Sequence, residues 1–158
     1  MSNNRKALII VENSEIPLDV RVWSEATTLR DAGWQTSVIC PDLRNPRPGQ
    51  ASEASADTPE DLEGVTVYRF PLNVAQRGIV SYLKEYTVAF SSIARLSWRV
   101  WRDTRFDVIH FCNPPDIFFP IATFFRLLGA GVVFDHHDLF PEVIAGRYPG
   151  SVGRLLYL

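Results

Sequence analysis

The chain has 158 residues, 46% of them apolar, and a formal net charge of -2. Such a length is one domain or part of a larger protein, and the apolar share suffices for an ordinary core. A nearly balanced charge excludes the global basic field that draws in nucleic acid, so no nucleic-acid partner is expected and any basic patch has to be local.

At the start, MSNNRKALIIVENSE places charge before an apolar run, but the run stops at Val11 and Glu12 follows. It is too short for a secretory signal, and a cytoplasmic location is expected. KALIIV (6–11) is nearly continuous in apolar residues, the pattern of a central parallel strand covered on both faces. Val22, Ala26 and Leu29 recur at helical spacing, Asp19 can cap and Gly33 can stop, which predicts a helix over 19–32. QTSVIC (35–40) is the next strand and completes a right-handed βαβ unit.

From Pro41 to Gly64 the composition turns to Pro, Gly, Ser, Ala and acids without periodicity, which predicts a mobile excursion over 41–64. VTVYRF (65–70) resumes as a strand, and a long helix follows over 78–103. FDVIHF (106–111) and GVVFD (131–135) are two more strands, separated by an apolar helical segment over 117–128 in which Pro120 implies a late start or a kink. Its apolar run, Ile117 to Phe125, falls well short of the roughly 20 residues that span a bilayer. Cys40 and Cys112 lie far apart beside expected strand ends and read as buried thiols, not a disulfide.

Five strands alternating with helices predict an α/β protein with a Rossmann-like doubly wound parallel sheet, default order 3-2-1-4-5. Ligands of such sheets sit beyond the carboxyl ends of the strands, which puts 12–18, 112–116 and 136–142 on one rim. Residues 1–150 form this domain; GSVGRLLYL starts an amphipathic helix at Ser151 and leaves Leu155, Leu156 and Leu158 without partners, so 151–158 is expected to lead into a further domain.

Arg21 and Glu25, four apart, can form a surface ion pair. Arg21 also sits in a first helical turn, where the dipole opposes a cation, so it can instead serve an anionic or polyhydroxyl ligand. No Gly-x-Gly-x-x-Gly occurs in the first βα turn, which disfavours a dinucleotide there. Asn113 or Asp116 can cap the 117–128 helix or face the rim, and strand alternation can bury His110. Adjacent side chains of an extended segment point to opposite sides, so His136 and His137 cannot readily share an ion, and no metal is expected. One of the two is expected to face the rim while the other packs; both being structural is the alternative. On the long helix, Lys84, Arg95, Arg99 and Arg102 share a face with Trp98, either a solvated basic face or a surface that rests on anionic lipid.

DVRVWSEATTLRDAGW, FDVIHFCNPPD and FDHHDLFPE, in this order and spacing, resemble the N-terminal half of bacterial family 4 glycosyltransferases over nearly the whole chain. The resemblance implies the first of two Rossmann-like domains of a GT-B fold, the one that mostly receives the acceptor. It implies a retaining transfer without metal or cofactor, with a nucleotide sugar as co-substrate held mainly by the other domain. The acceptor it implies is a cell-surface glycan or a lipid-linked sugar, at the inner face of the membrane. His137 matches the histidine that faces the transferred sugar and is the expected catalytic residue; Arg21, Asn113, Asp138 and Glu142 are the expected substrate-binding residues. Many relatives carry a Gly-Gly pair in the first βα loop where this chain has ENSEIPLD, so donor contacts from that loop are not expected. Residues 1–158 alone are expected to be inactive, and the competing reading is a stand-alone binding or membrane-adaptor module that needs a partner chain.

Overall fold

The computed structural model describes residues 5–43, 58–72, 79–112 and 116–135, with the side chains of 79–85 and of 116 excepted. In chain order these form β1 (Lys6–Val11), α1 (Val20–Asp31), β2 (Gln35–Asp42), β3 (Glu60–Leu62), β4 (Val65–Pro71), α2 (Ile79–Thr104), β5 (Val108–Cys112), a 3-10 turn (Asp116–Phe118), α3 (Phe119–Leu127) and β6 (Gly131–Asp135). One sheet has the order β3-β4-β2-β1-β5-β6, parallel throughout except for β3. The five expected strands therefore stand in the expected order.

β3 corrects the expected excursion. Residues 60–62 pair antiparallel with β4, and β2 runs on through Pro41 to Asp42. Glu63 and Gly64 make the reversal between β3 and β4, both at positive φ, 51° and 84°. Residues 44–57 of the excursion lie outside the described part.

Strand alternation sorts the apolar side chains onto two covered faces. Leu8 and Ile10 of β1 and Tyr68 and Phe70 of β4 join the cluster under α2 and α3. Their neighbours Ile9, Val11, Val65 and Val67 join Val22 and Ala26 of α1 on the other side. This two-sided burial explains why β1 reads as an unbroken apolar run. α2 inserts Ala89, Ile93, Leu96 and Val100, spaced four, three and four apart, as one buried stripe. Beyond it Trp101, Phe106 and Phe125 form a three-ring cluster with centroids 4.8 to 5.6 Å apart.

α1 starts and stops where its sequence signals stand. Asp19 Oδ1 accepts from the Val22 amide at 3.1 Å, and Gly33, at φ 83°, lets the Trp34 amide reach back to the Leu29 carbonyl at 3.0 Å. Gly129 ends α3 in the same way, with the Ala130 amide on the Phe125 carbonyl. α3 does start late: Phe118 is its N-cap, with no side-chain hydrogen bond, and Pro120 lies in its first turn. A 3-10 turn over Asp116–Phe118 leads into α3; Asn113 and the side chain of Asp116, the expected caps, lie outside the described part.

Candidate functional site at the carboxyl rim

The register carries three strand ends to one line, with Val11 opposite Cys112 and Cys112 opposite Asp135. α1 begins above this line, because the loop from Glu12 to Asp19 is tied down from β4 and β2. Arg69, only 4% exposed, donates from Nη2 to the Ile16 carbonyl at 2.9 Å and from Nε to Glu60 at 3.0 Å. The Leu43 amide donates to Glu15 Oε2 at 3.2 Å. Ile16 itself is buried against the α1 side of the core. The loop so held sets the first turn of α1 at the rim.

From that turn Arg21 reaches across the end of β5 to Asp135, Nη1 to Oδ2 2.9 Å. Where four-residue spacing suggested a surface pair with Glu25, this 2.9 Å contact is with the last residue of β6 instead. The helix dipole disfavours a cation there by about 0.3 to 1 kcal/mol, and the facing carboxylate offsets that cost. Glu25, one turn on, lies over the interior of the rim. Its Oε2 is 3.6 Å from His110 Nδ1 and 3.9 Å from Cys112 Sγ. His110 is only 16% exposed in its side chain, with Nε2 3.8 Å from Cys112 Sγ and 4.0 Å from Asp135 Oδ2. Its imidazole therefore stands between two carboxylates, and one of them holds Arg21.

Burial was expected for His110, and it is largely enclosed; its charged neighbours were not anticipated. The pairs span 85 residues to Glu25 and 25 to Asp135, so no local spacing announces them. The available signal was alternation: His110 and Cys112 share the α1 face of β5, near its carboxyl end.

Burial first, and then the Glu25 charge, push the Cys112 thiol up to about 12. Burial pushes Cys40 up to about 11, although Arg69 Nη1 lies 3.5 Å from its sulfur. Glu25, His110 and Cys112 bring one potential ligand atom each within 4.8 Å of one another. A metal could use the sulfur only by displacing a proton that burial and Glu25 both retain. With both thiols raised well above the ordinary range, each cysteine stays almost wholly protonated at pH 8, where an ordinary thiol is partly ionised. A disulfide reagent at pH 8 should therefore leave both thiols unlabelled in native protein and label both promptly in denaturant. Fast native labelling of Cys112 would contradict its burial at the end of β5.

Of the expected site residues, Arg21 stands at the rim. Asn113, His137, Asp138 and Glu142 lie outside the described residues, as does His136. Arg95, Arg99 and Arg102 are on α2, away from the rim, and the side chain of Lys84 is not described. Among the described residues no helix is long and apolar enough to cross a membrane.

Comparison with known proteins agrees with this architecture. The chain is 26% identical over 153 residues to chitobiosyldiphosphodolichol beta-mannosyltransferase of Candida glabrata, covering 94% of this chain and 31% of that protein. It thus spans about a third of the length of that curated relative. Among solved structures it is similar in fold to the C-terminal domain of a hydrogenase from Pyrococcus furiosus, with a TM-score of 0.56 and 15% identity over 85% of this chain and 93% of that one. Residues 18–158 match the family described as glycosyl transferase 4-like domain, and the chain belongs to that family.

Proposed function

We propose that the chain is the acceptor-side, N-terminal half of a GT-B enzyme that moves a sugar, with retention of configuration, from a nucleotide sugar to a cell-surface glycan or lipid-linked acceptor. The observation that carries this reading is the rim: in a chain of this family, Arg21, Glu25, His110 and Asp135 converge beyond the carboxyl ends of β5 and β6. Doubly wound sheets bind ligands at that edge. Guanidinium groups recognise sugar hydroxyls and phosphate oxygens through planar, charge-assisted hydrogen bonds. Asp135, the last residue of β6, is followed directly in the sequence by His136 and His137.

In this reading His137 touches the transferred sugar, and Arg21, Asn113, Asp138 and Glu142 bind substrate. Donor binding falls mainly to a second domain, consistent with a first loop that has neither the Gly-Gly pair nor a dinucleotide fingerprint. The reaction needs no cofactor, and work at the cytoplasmic membrane surface suits a lipid-linked acceptor. The test is the complete polypeptide from the same reading frame, assayed against a panel of nucleotide sugars with glycan and lipid-linked acceptors. The product anomer is read by NMR. Transfer with retention supports the proposal; an inverted product contradicts its stereochemistry, and no transfer from any donor contradicts the enzyme reading itself.

A further inference from the structure

His110 and Cys112 are two residues apart on β5 and project from one face of the sheet, the face that α1 covers. Glu25, from the second turn of α1, completes a triangle with them. Its Oε2 stands 3.9 Å from Cys112 Sγ and 3.6 Å from His110 Nδ1, and His110 Nε2 stands 3.8 Å from the same sulfur. One imidazole nitrogen has to serve both partners, and the three ligand atoms lie within 4.8 Å of one another. A tetrahedral zinc ion sets oxygen, nitrogen and sulfur ligands roughly 3.3 to 3.6 Å apart. The longest edge therefore closes by at most about 1.5 Å, a movement open to Glu25, whose side chain is 32% exposed.

The surrounding charges suit a dication. The carboxylates of Glu25, Asp135 and Asp19 and the guanidinium of Arg21 all act on the Cys112 sulfur, so the acids outnumber the base. Arg21 is itself held by Asp135 at 2.9 Å, which blunts its repulsion of a second cation. The proton on Cys112 then decides which ion fits. Only the thiolate binds metal, and a hard ion such as magnesium, which favours oxygen ligands, does not displace that proton from a buried sulfur. A thiophilic ion does: the S–H bond gives way to a sulfur–metal bond, one proton leaves to water, and the bound charge keeps the sulfur ionised.

We propose that Glu25, His110 and Cys112 form a site for a borderline-soft divalent ion of the zinc type, which takes one oxygen, one nitrogen and one sulfur from the chain and leaves its fourth position to water. The ion clamps α1 to β5 at the carboxyl rim and takes no part in sugar transfer. It does not depend on the transfer reading, because metal binding is measured with neither donor nor acceptor.

The test is titration of the intact, reduced chain with zinc, with cobalt as the spectroscopic probe and magnesium as the control. Cobalt should give a thiolate-to-metal charge-transfer band in the near ultraviolet and the intense visible bands of a four-coordinate site. Zinc should bleach both and raise Tm, and magnesium should do neither. Cys112→Ser should abolish the charge-transfer band, whereas Cys40→Ala should keep it. Glu25→Gln and His110→Ala should each weaken zinc binding by at least about 10-fold, the least that loss of even a supporting group costs. Glu25→Gln alters a partly exposed side chain, so its loss of affinity can be read even if Cys112→Ser does not fold. No charge-transfer band in wild type, a band that survives Cys112→Ser, or wild-type zinc affinity in Glu25→Gln would overturn the proposal. Zinc held as tightly by Cys112→Ser as by wild type would overturn it as well and place the ion elsewhere on the chain.

Discussion

In the complete enzyme His137→Ala should lower kcat by about 10- to 1000-fold, the range for losing one preorganised group from a transition state, with little change in melting temperature. The strand that precedes His137 in the sequence is well anchored: its last residue, Asp135, pairs with Cys112 in the sheet and holds Arg21 at 2.9 Å. Removing a side chain two residues beyond should therefore disturb chemistry more than folding. His136→Ala is the internal control. Adjacent side chains of an extended segment point apart, so His136 should cost more stability and less turnover if it is the packed member. Near-normal turnover in His137→Ala would end the catalytic assignment.

The largest stability effect is expected at Arg69, which reaches Ile16, Glu60 and Cys40 from a buried position. Arg69→Ala leaves the Ile16 carbonyl without this donor and opens the space the side chain filled. Losing one partner of a buried hydrogen-bonded charge pair costs about 3 to 5 kcal/mol. Glu60 is 41% exposed in its side chain and can return to water, so the lower end, about 3 kcal/mol, is expected. In a chain of this length that corresponds to a fall of roughly 6 to 12 °C in Tm. Urea unfolding measures it, and a loss below about 1 kcal/mol, the range of an exposed ion pair, would show that the loop before α1 is held by something else. Because that loop sets the first turn of α1, the surviving fold should also show weaker substrate binding through Arg21.

The elements most legible in the sequence were those with an apolar signature. The run at 6–11 and the spacing of Val22 and Ala26 gave β1 and α1 almost to the residue, and Gly33 and Asp19 marked the ends because their backbone chemistry is local. β3 was not legible: Glu60, Asp61 and Leu62 are three residues with two acids, and their pairing with β4 rests on the turn at Glu63 and Gly64 and on the contact between Glu60 and Arg69. Arg69 could have been noticed as a lone cation inside VTVYRF, since a buried arginine has to find partners. The rim was half legible. Arg21 drew attention by its place in the helix dipole, whereas the closeness of Glu25, His110 and Asp135 exists only after β5 and β6 are laid side by side.

The central claim, that the carboxyl rim is the acceptor face, is tested most directly by initial-rate kinetics of Arg21→Ala in both substrates. The Arg21 to Asp135 pair is partly exposed, 42% and 32% in the side chains, so its loss should cost at most about 1 kcal/mol of stability. If Arg21 instead serves a polar acceptor group, the acceptor KM should rise by about 10- to 100-fold, the worth of a hydrogen bond to a charged group, while the donor KM stays put. An unchanged acceptor KM, or a rise confined to the donor, would contradict the account.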